Sequence, residues 1–357
     1  QRRSRSWIFG AVRKRCGPWR PRATSVPAMG DWPTPATRNY FRNSRGQRIH
    51  FRYYLPEGQP KSLLFVFHGL TSHCNTPIFD TFAERLGASG VVLVSLDFHG
   101  HGYSEGERCL IWDGAHLDEE AFSVVALFAG PRALAPAEYN LEEPLSHDAE
   151  QLRRLSLLPY ALAGGSMGAG AAMNVGLKIR SLSRSAASEV ERDFVDRLYG
   201  VMFIAPALKA FLPPESVVWI LRNLIAPLVP RAQLPAFIDK ATDDALIWAD
   251  ETVIKANQVD PLRYQDRQRY ATAAALVPWI QQIERSLEQV DFPFMILHDP
   301  QDQIVAYEGS ELLMEVSQTA ADQKSLRVCE GLRHDIISND TSLVLEEAEK
   351  FIASRLC

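Results

Sequence analysis

The sequence has few cysteines and no long apolar run, and both absences narrow the class of protein. Its five cysteines are odd in number, lie far apart and form no C-x-x-C pair. This favours reduced thiols in an intracellular protein, either cytoplasmic or peripheral to a membrane, over a disulfide framework. No apolar run reaches the ~18 residues of a membrane span. The net charge of −5 gives no reason to expect a nucleic-acid partner.

Acidic residues are absent from the start of the sequence until Asp31, whereas arginine and lysine are frequent there. We therefore expect residues 1–37 to be a basic, disordered leader. An Arg- and Ser-rich segment without acids is typical of organelle transit peptides. Translated upstream sequence, with Met29 as an alternative start, explains the same composition, and both interpretations stay open.

Patterns of buried strands alternate with helical patterns through most of the remaining sequence. Apolar runs at Ser62–His68 and Val91–Leu96 are typical of buried strands, and a helical pattern at Pro77–Ser89 separates them. Strand, helix and strand with short connections predict parallel βαβ units in a mostly parallel sheet with helices on both faces. We expect this α/β core to span residues 38–207 and, after an insertion, residues 290–357.

The insertion, residues 208–289, has a helical pattern rich in Pro, Leu, Ile and Trp, which predicts a helical cap before the last strands. Its most apolar part, Val217–Ile225, is either an ordinary packed helix or an apolar face that lines a lipid-accepting cleft or touches a membrane surface. Arg222 interrupts this part and argues against a membrane span. Two other stretches lack a clear pattern: Leu110–Pro144 is left unassigned, and Ser181–Glu191 is interpreted as a solvated insertion.

A Gly-x-Ser-x-Gly match, Gly164–Gly168, lies between a short apolar run and a helical pattern. In such a strand–turn–helix context the match predicts a nucleophile elbow, in which a sharp turn exposes the serine hydroxyl. A bare match is often only a glycine-rich loop. The strand before Ser166 and the helix after it favour a catalytic serine.

A serine nucleophile needs a histidine base, and the histidine needs an orienting acid. With a nucleophile elbow, the order along the chain is serine, acid, histidine. Only His298 and His334 follow Ser166 at a distance, and only His334 leaves room for an acid before it. For the acid we choose Asp302 over Asp299, because Asp302 lies in a loop and Asp299 directly follows a strand, where it would cap the turn.

The oxyanion that forms during attack needs backbone N–H donors. We assign the N–H of Met167, which follows the nucleophile, and that of Leu70, in the loop after the Ser62–His68 strand. We expect His68, Gly69 and Gly165 to lie against the substrate, with His68 serving as a structural hydrogen-bonding group and not as a base.

The segment Asp97–Gly106 is dense in glycine and contains a His99-x-His101 pair. Its glycine spacing fails the dinucleotide-binding pattern, and no third metal ligand stands out beside the histidines. We interpret the segment as a rigid turn that shapes the floor of the site. We expect no metal and no cofactor.

Together these motifs resemble the monoacylglycerol lipase-like branch of the α/β-hydrolases, which includes serine aminopeptidase S33-like and lysophospholipase-like proteins. The resemblance covers roughly Tyr40–Leu356. It rests on five motifs: His68-Gly69, the Asp97–Gly106 turn, the Gly164–Gly168 elbow, His298-x-x-x-Asp302 and Gly331-x-x-His334. The sequence departs from the family pattern at Gly165, where histidine is usual, and at Ala169, where glycine is usual.

The resemblance implies an α/β-hydrolase fold, a triad of Ser166, Asp302 and His334, and a lid at Leu208–Gln289 over an acyl-chain tunnel. Members of this branch cleave monoacylglycerols, lysophospholipids or other small carboxylic esters without a cofactor. We therefore predict a serine esterase that forms an acyl-enzyme with a small lipid or ester, with peripheral membrane contact through the cap. An acyltransferase with the same acyl-enzyme and a non-catalytic protein that binds a small apolar ligand stay open, as does the oligomeric state.

Overall fold

A computed structural model of the chain describes residues 39–142, 144–184, 188–211 and 214–356. The expected leader at residues 1–37 lies outside these residues. The strands of the described part, numbered β1 to β9 in chain order, are Tyr40–Arg42, Arg48–Tyr54, Ser62–Phe67, Val91–Leu96, Tyr139–Asn140, Tyr160–Gly165, Leu198–Ile204, Phe294–His298 and Lys324–Val328.

The helices, numbered α1 to α13, are Pro77–Gly87, Ala115–Ala129, Ala149–Leu155, Met167–Arg184, Glu189–Asp196, Glu215–Ile220, Ala226–Leu228, Asp244–Ile247, Glu251–Gln258, Tyr270–Ser286, Tyr307–Val316, Ile336–Asn339 and Thr341–Leu356. A π-helical turn, Leu221–Ile225, joins α6 to α7. Short 3₁₀ turns occur at Arg132–Leu134, Leu287–Gln289 and Ala321–Gln323.

The strands form one sheet in the order β5-β1-β2-β4-β3-β6-β7-β8-β9. All pairs from β4 to β9 along this order are parallel, whereas β1 and β2 join the sheet in antiparallel fashion. The mostly parallel sheet that the sequence predicts is confirmed. Because parallel strands end at the same edge, the loops after β3, β6, β8 and β9 meet there.

Side chains of the central strands alternate between two apolar clusters, one on each face of the sheet. On β3, Leu63 and Phe65 pack in the cluster that includes α2, α4 and α10, whereas Leu64 and Val66 pack in the cluster with α1 and α13. Burial of each such side chain stabilises the fold by about 1.5–3 kcal/mol. Cover on both faces explains why β3 and β4 are continuous apolar runs and not alternating ones.

Two stretches contain helical residues that the sequence did not predict. The unassigned stretch Leu110–Pro144 contains α2, in which ten of fifteen residues are buried. A helix buried on most sides has no polar face, so its sequence lacks the periodicity of an amphipathic helix. The stretch Ser181–Glu191 contains the end of α4, at Arg184, and the start of α5, where Ser188 forms a capping box with Glu191. Its residues Ser181, Ser183 and Ser188 are exposed, in keeping with a solvated segment.

Between β7 and β8 the chain forms helices α6 to α10, in agreement with the helical pattern at residues 208–289. None of the helices described here is both long enough and apolar enough to cross a membrane.

A buried carboxylate joins the last of these helices to the core. Asp118 on α2 accepts hydrogen bonds from the Trp279 indole of α10, at 3.0 and 3.2 Å, and from the Asn174 amide of α4, at 2.9 Å. Burial raises the pKa of Asp118 to about 7, although both hydrogen bonds oppose the shift. Asp118 therefore titrates close to neutral pH in the folded protein.

The substitution Asp118→Asn tests this assignment. A carboxyl whose pKa is raised on folding binds more protons in the folded than in the unfolded chain between about pH 4 and pH 7. As the pH rises through this window, the free energy of unfolding of the wild type should therefore fall by on the order of 3 kcal/mol relative to that of the Asp118→Asn variant. Urea unfolding at pH 5 and pH 8 measures the difference. Equal pH dependence in the two proteins would contradict the assignment.

Candidate active site

The structure brings Ser166, His334 and Asp302 together from three strand ends. Ser166 directly follows β6, Asp302 lies in the loop after β8, and His334 lies in the loop after β9. The Ser166 hydroxyl lies 2.8 Å from Nε2 of His334, and Nδ1 of His334 lies 2.7 Å from Oδ2 of Asp302. With the Nδ1 proton donated to Asp302, Nε2 is free to accept the serine proton.

A strained turn presents the Ser166 hydroxyl. The φ angle of Ser166 is +53°, in the left-handed region that residues with a side chain rarely adopt. The turn needs glycine on both sides. A Cβ at Gly164 would stand 2.3 Å from the carbonyl oxygen of Gly168, and a Cβ at Gly168 would stand 2.1 Å from that of Phe67. Only glycines let β6, α4 and β3 approach this closely.

Asp302 is held as a carboxylate beside the histidine. Its Oδ1 accepts from the N–H groups of Ile304 and Val305, at 2.7 and 3.2 Å, and its Oδ2 also contacts Nε2 of His298 at 3.3 Å. Burial raises the pKa of Asp302, but the charge of His334 and the hydrogen bonds from both histidines outweigh burial and hold the pKa below its usual range. An ionised Asp302 accepts the hydrogen bond from Nδ1 of His334 and so fixes the orientation of the ring.

Within the described residues, Asp299, the acid that the sequence assigns to the turn, bonds to backbone N–H groups and not to the His334 ring. Its carboxylate accepts from the N–H of Gln301 at 2.9 Å and from the N–H of Arg333 at 2.7 Å. The first bond closes the turn after β8, as the sequence predicts. The second bond was not predicted, and it fixes the loop residue next to His334.

The two assigned oxyanion donors lie beside the nucleophile. Met167 is the first residue of α4, and the loop after β3 lies so close that a Cβ at Gly69 would be 3.3 Å from Cβ of Ser166. In the described part of the chain, neither the Leu70 N–H nor the Met167 N–H donates to a protein acceptor. Both donors are therefore available to a substrate oxygen, and the N-terminus of α4 favours negative charge there.

His68 holds this loop in place. Its Nδ1–H donates to the carbonyl of Gly69 at 2.8 Å, and its Nε2 accepts from the N–H of Phe98 at 3.0 Å. Burial lowers the pKa of His68 to about 4, so the ring is neutral near pH 7. With both nitrogens engaged, His68 is a structural hydrogen-bonding group, in agreement with the sequence interpretation.

A cavity of about 600 Å³ opens at Ser166. The residues expected to lie against the substrate, His68, Gly69 and Gly165, all line it together with Ser166 and His334. Most of the other lining side chains are aliphatic or aromatic. A cavity of this size and character is typical of a site for a small apolar ligand.

Comparison with known proteins places this site in a family. Residues 58–132 and 145–342 match the family model of the serine aminopeptidases, S33. The chain belongs to this S33 family. The match includes every residue of the predicted triad and both assigned oxyanion donors.

Several relatives of this S33-family chain are lipases by name. A monoglyceride lipase of Rattus norvegicus is 26% identical over 88% of this chain and 89% of its own length. A monoacylglycerol lipase of Mycolicibacterium smegmatis is 23% identical over 87% of this chain and 95% of its own length. These relatives place the chain among the lipases and esterases of the α/β-hydrolase type, which are serine hydrolases.

Solved structures agree on the fold. A soluble variant of monoglyceride lipase from Saccharomyces cerevisiae, in complex with a substrate analogue, has a TM-score of 0.63 at 17% identity. The alignment covers 92% of this chain and 98% of the yeast chain. The α/β-hydrolase fold that the sequence predicts is confirmed.

One group of metal-type side chains occurs in the described part of this S33-family chain. His50, Cys74 and Asp97 place ligand-type atoms within 4.8 Å of one another. The Asp97 carboxylate already accepts from His50 Nδ1 at 2.8 Å and from the N–H groups of Cys74 and Tyr103, at 2.6 and 2.8 Å. Burial raises the pKa of the Cys74 thiol and disfavours the thiolate that a metal prefers. The cluster therefore acts as a hydrogen-bond network that holds the Asp97–Gly106 turn.

A second hydrogen-bond network, which sequence reasoning missed, joins the His334 loop to the segment between β7 and β8. The Arg333 guanidinium donates to the carbonyl groups of Ala245 and Trp248. On the other side of His334, Oδ2 of Asp335 accepts from the Trp248 indole at 2.7 Å. These partners are more than 80 residues apart, and no local pattern links them. The network fixes the histidine loop against this segment.

We expect Trp248→Phe to lower kcat without unfolding the protein. Phenylalanine keeps a ring for the Arg263 guanidinium, which lies 4.5 Å from the Trp248 ring centre, but it removes the hydrogen bond to Asp335. If removal of this hydrogen bond raises the activation free energy by about 1 kcal/mol, kcat should fall roughly fivefold. Steady-state hydrolysis of p-nitrophenyl butanoate measures kcat. Trp112→Phe, at an exposed position, is the matched control, and equal kcat in both variants would refute the coupling.

Proposed function

We propose that this chain is a carboxylic-ester hydrolase of the monoacylglycerol lipase or lysophospholipase type, acting on a small lipid through Ser166, His334 and Asp302. The observation that carries the proposal is the 2.8 Å contact between the Ser166 hydroxyl and Nε2 of His334 at the wall of a mostly apolar cavity. The names of the relatives, monoglyceride and monoacylglycerol lipase, support the same substrate class.

In the proposed reaction, the Ser166 oxygen attacks the ester carbonyl while His334 takes the hydroxyl proton. Asp302, as a carboxylate, stabilises the resulting imidazolium. The bond to the alcohol breaks, His334 gives its proton to the departing alkoxide, and an acyl-serine ester remains. Water then attacks this ester by the same path and releases the fatty acid. These groups supply nucleophile, proton carrier and charge stabilisation, so the mechanism calls for no metal or cofactor.

The carbonyl oxygen becomes negatively charged during both attacks. We propose that the N–H groups of Leu70 and Met167 donate to it, supported by their position beside Ser166 and their lack of protein acceptors in the described chain. Each such donor is worth about 3 kcal/mol in comparable sites. His68, Gly69 and Gly165 would then shape the wall against which the substrate lies.

We further propose that residues 208–289 form a cap over the cavity, between the core segments 38–207 and 290–357. Val218 of α6, Leu234 in the loop after α7 and Leu276 of α10 line the cavity, which supports this role. A cap that excludes water strengthens the electrostatic interactions of the site.

The proposed cap has an apolar outer surface that suits peripheral contact with a membrane. Its side chains Trp219, Leu228 and Phe237 are 58%, 80% and 86% exposed. Large apolar side chains that face solvent and are surrounded by polar residues are typical of interaction surfaces. A lipase substrate resides in lipid, so we assign this surface to the membrane interface.

The substitution Ser166→Ala tests the nucleophile. Turnover of a monoacylglycerol should fall by about 10⁴-fold or more, because the attacking oxygen is removed. Labelling by a fluorophosphonate probe should disappear as well. Ser181→Ala, which removes an exposed hydroxyl from the same helix, is the control and should keep both activities. Residual labelling of the Ser166 variant at the wild-type rate would exclude Ser166 as the nucleophile.

Co-sedimentation with phosphatidylcholine vesicles tests the membrane surface. Replacing Trp219, Leu228 and Phe237 together by serine should lower the bound fraction about tenfold or more, because three exposed apolar side chains lose contact with lipid. Turnover of a water-soluble ester should not change. Leu157→Ser removes an exposed leucine before β6 and serves as the control. Unchanged sedimentation of the triple variant would disprove the assignment.

A further inference from the structure

The turn after β3 contains a residue in a backbone conformation that its side chain disfavours. The Ser72 N–H donates to the carbonyl of Gly69 at 3.3 Å and closes a turn of four residues. Thr71, the third residue, has a φ angle of +70° and is the only one of the four with a positive φ. This pattern is that of a type II turn, which favours glycine at its third position. Threonine is branched at Cβ, so Thr71 is strained there.

The strain at Thr71 is unusual in this structure. Five non-glycine residues of the described chain have a positive φ, and Thr71 is the only one of them with a branched Cβ. Another of the five is Ser166, the proposed nucleophile. Residues in such conformations cluster at functional sites and persist because the surrounding structure holds them. Here the Tyr264 N–H, from the segment between β7 and β8, donates to the Thr71 carbonyl at 3.1 Å.

The Thr71 side chain belongs to the wall of the cavity at Ser166 and is otherwise buried, with 4% of the residue exposed. Among the residues that the structure describes, none forms a hydrogen bond with the Thr71 hydroxyl. Buried hydroxyl groups almost always have a hydrogen-bond partner, because burial without one is costly. A molecule in the cavity is therefore the natural partner of this hydroxyl.

The turn lies against the reacting centre. A Cβ at Gly69 would be 3.3 Å from Cβ of Ser166, and Leu70, which carries one of the two proposed oxyanion donors, directly precedes Thr71. One peptide unit separates the Leu70 N–H from the Thr71 side chain, so both groups can reach the same oxygen. A fixed donor contributes most where negative charge develops during the reaction.

We propose that the Thr71 hydroxyl is a third donor to the ester carbonyl oxygen, beside the N–H groups of Leu70 and Met167. The inference rests on the proposed ester hydrolysis and adds a catalytic side chain to it. It explains why threonine occupies a position at which the turn favours glycine. The turn fixes the hydroxyl beside the carbonyl oxygen, and a fixed donor needs no reorganisation during the reaction.

Three substitutions at position 71 separate the hydroxyl from the turn. Thr71→Val keeps the branched Cβ and the strain but removes the hydroxyl. Thr71→Gly introduces the residue that the turn favours, also without a hydroxyl. In both variants kcat for p-nitrophenyl butanoate should fall about 10- to 100-fold at unchanged KM, because a hydrogen bond to developing charge is lost. Thr71→Ser keeps the hydroxyl and should retain most of the wild-type kcat.

Two further measurements accompany these variants. Thr81→Val removes a hydroxyl from an exposed position on α1, outside the cavity, and should leave kcat unchanged. Monobutanoyl glycerol, whose alcohol carries hydroxyl groups, should show the same fall in kcat as p-nitrophenyl butanoate, because the two esters share the carbonyl oxygen. The Tm of each variant shows that the protein is folded.

Three results would overturn the proposal. The first is wild-type kcat in a folded Thr71→Val or Thr71→Gly variant. The second is a loss of kcat in Thr71→Ser as large as that in Thr71→Val, because the hydroxyl would then not be the group that matters. The third is a loss confined to monobutanoyl glycerol, which would assign the hydroxyl to the alcohol. If the wild type hydrolyses neither ester, the proposed function itself fails, and this outcome is distinct from the other three.

Discussion

The close approach of β6, α4 and β3 is the constraint on which the site depends. Gly164 and Gly168 allow the backbones to meet, and the turn between them forces Ser166 into a left-handed conformation. Such strain costs on the order of 1–3 kcal/mol and persists only because the surrounding structure holds it. Backbone hydrogen bonds between Ser166 and Ile204, Ala169 and Ala207 help to maintain this conformation. The strain directs the hydroxyl out of the sheet edge, toward His334.

The remaining groups of the site are held by bonds that come from outside it. Asp302 is fixed by backbone N–H groups in its own loop, and Arg333 and Asp335, the neighbours of His334, are fixed by the segment around Trp248. Asp299 adds a bond between the loops after β8 and β9. The position of His334 thus depends on both the sheet and the segment between β7 and β8.

Sequence reasoning reached the features that depend on local pattern. The bounds of β4 agree with the prediction, and the order serine, acid, histidine identified three side chains that the structure places in hydrogen-bond contact. Helix α2 escaped prediction because burial on most sides removes its polar face. The hydrogen bonds of Trp248 to the His334 loop escaped because they join distant segments. Such features depend on packing between elements, which no local window of residues contains.

The most direct test of this account is a crystal structure of the protein after reaction with a fluorophosphonate that carries a long alkyl chain. The account predicts phosphorus bonded to the Ser166 oxygen, and a phosphoryl oxygen within hydrogen-bond distance of the Leu70 and Met167 N–H groups. His334 should lie between Ser166 and Asp302. An adduct on another residue, or a phosphoryl oxygen that faces away from both N–H groups, would contradict the account.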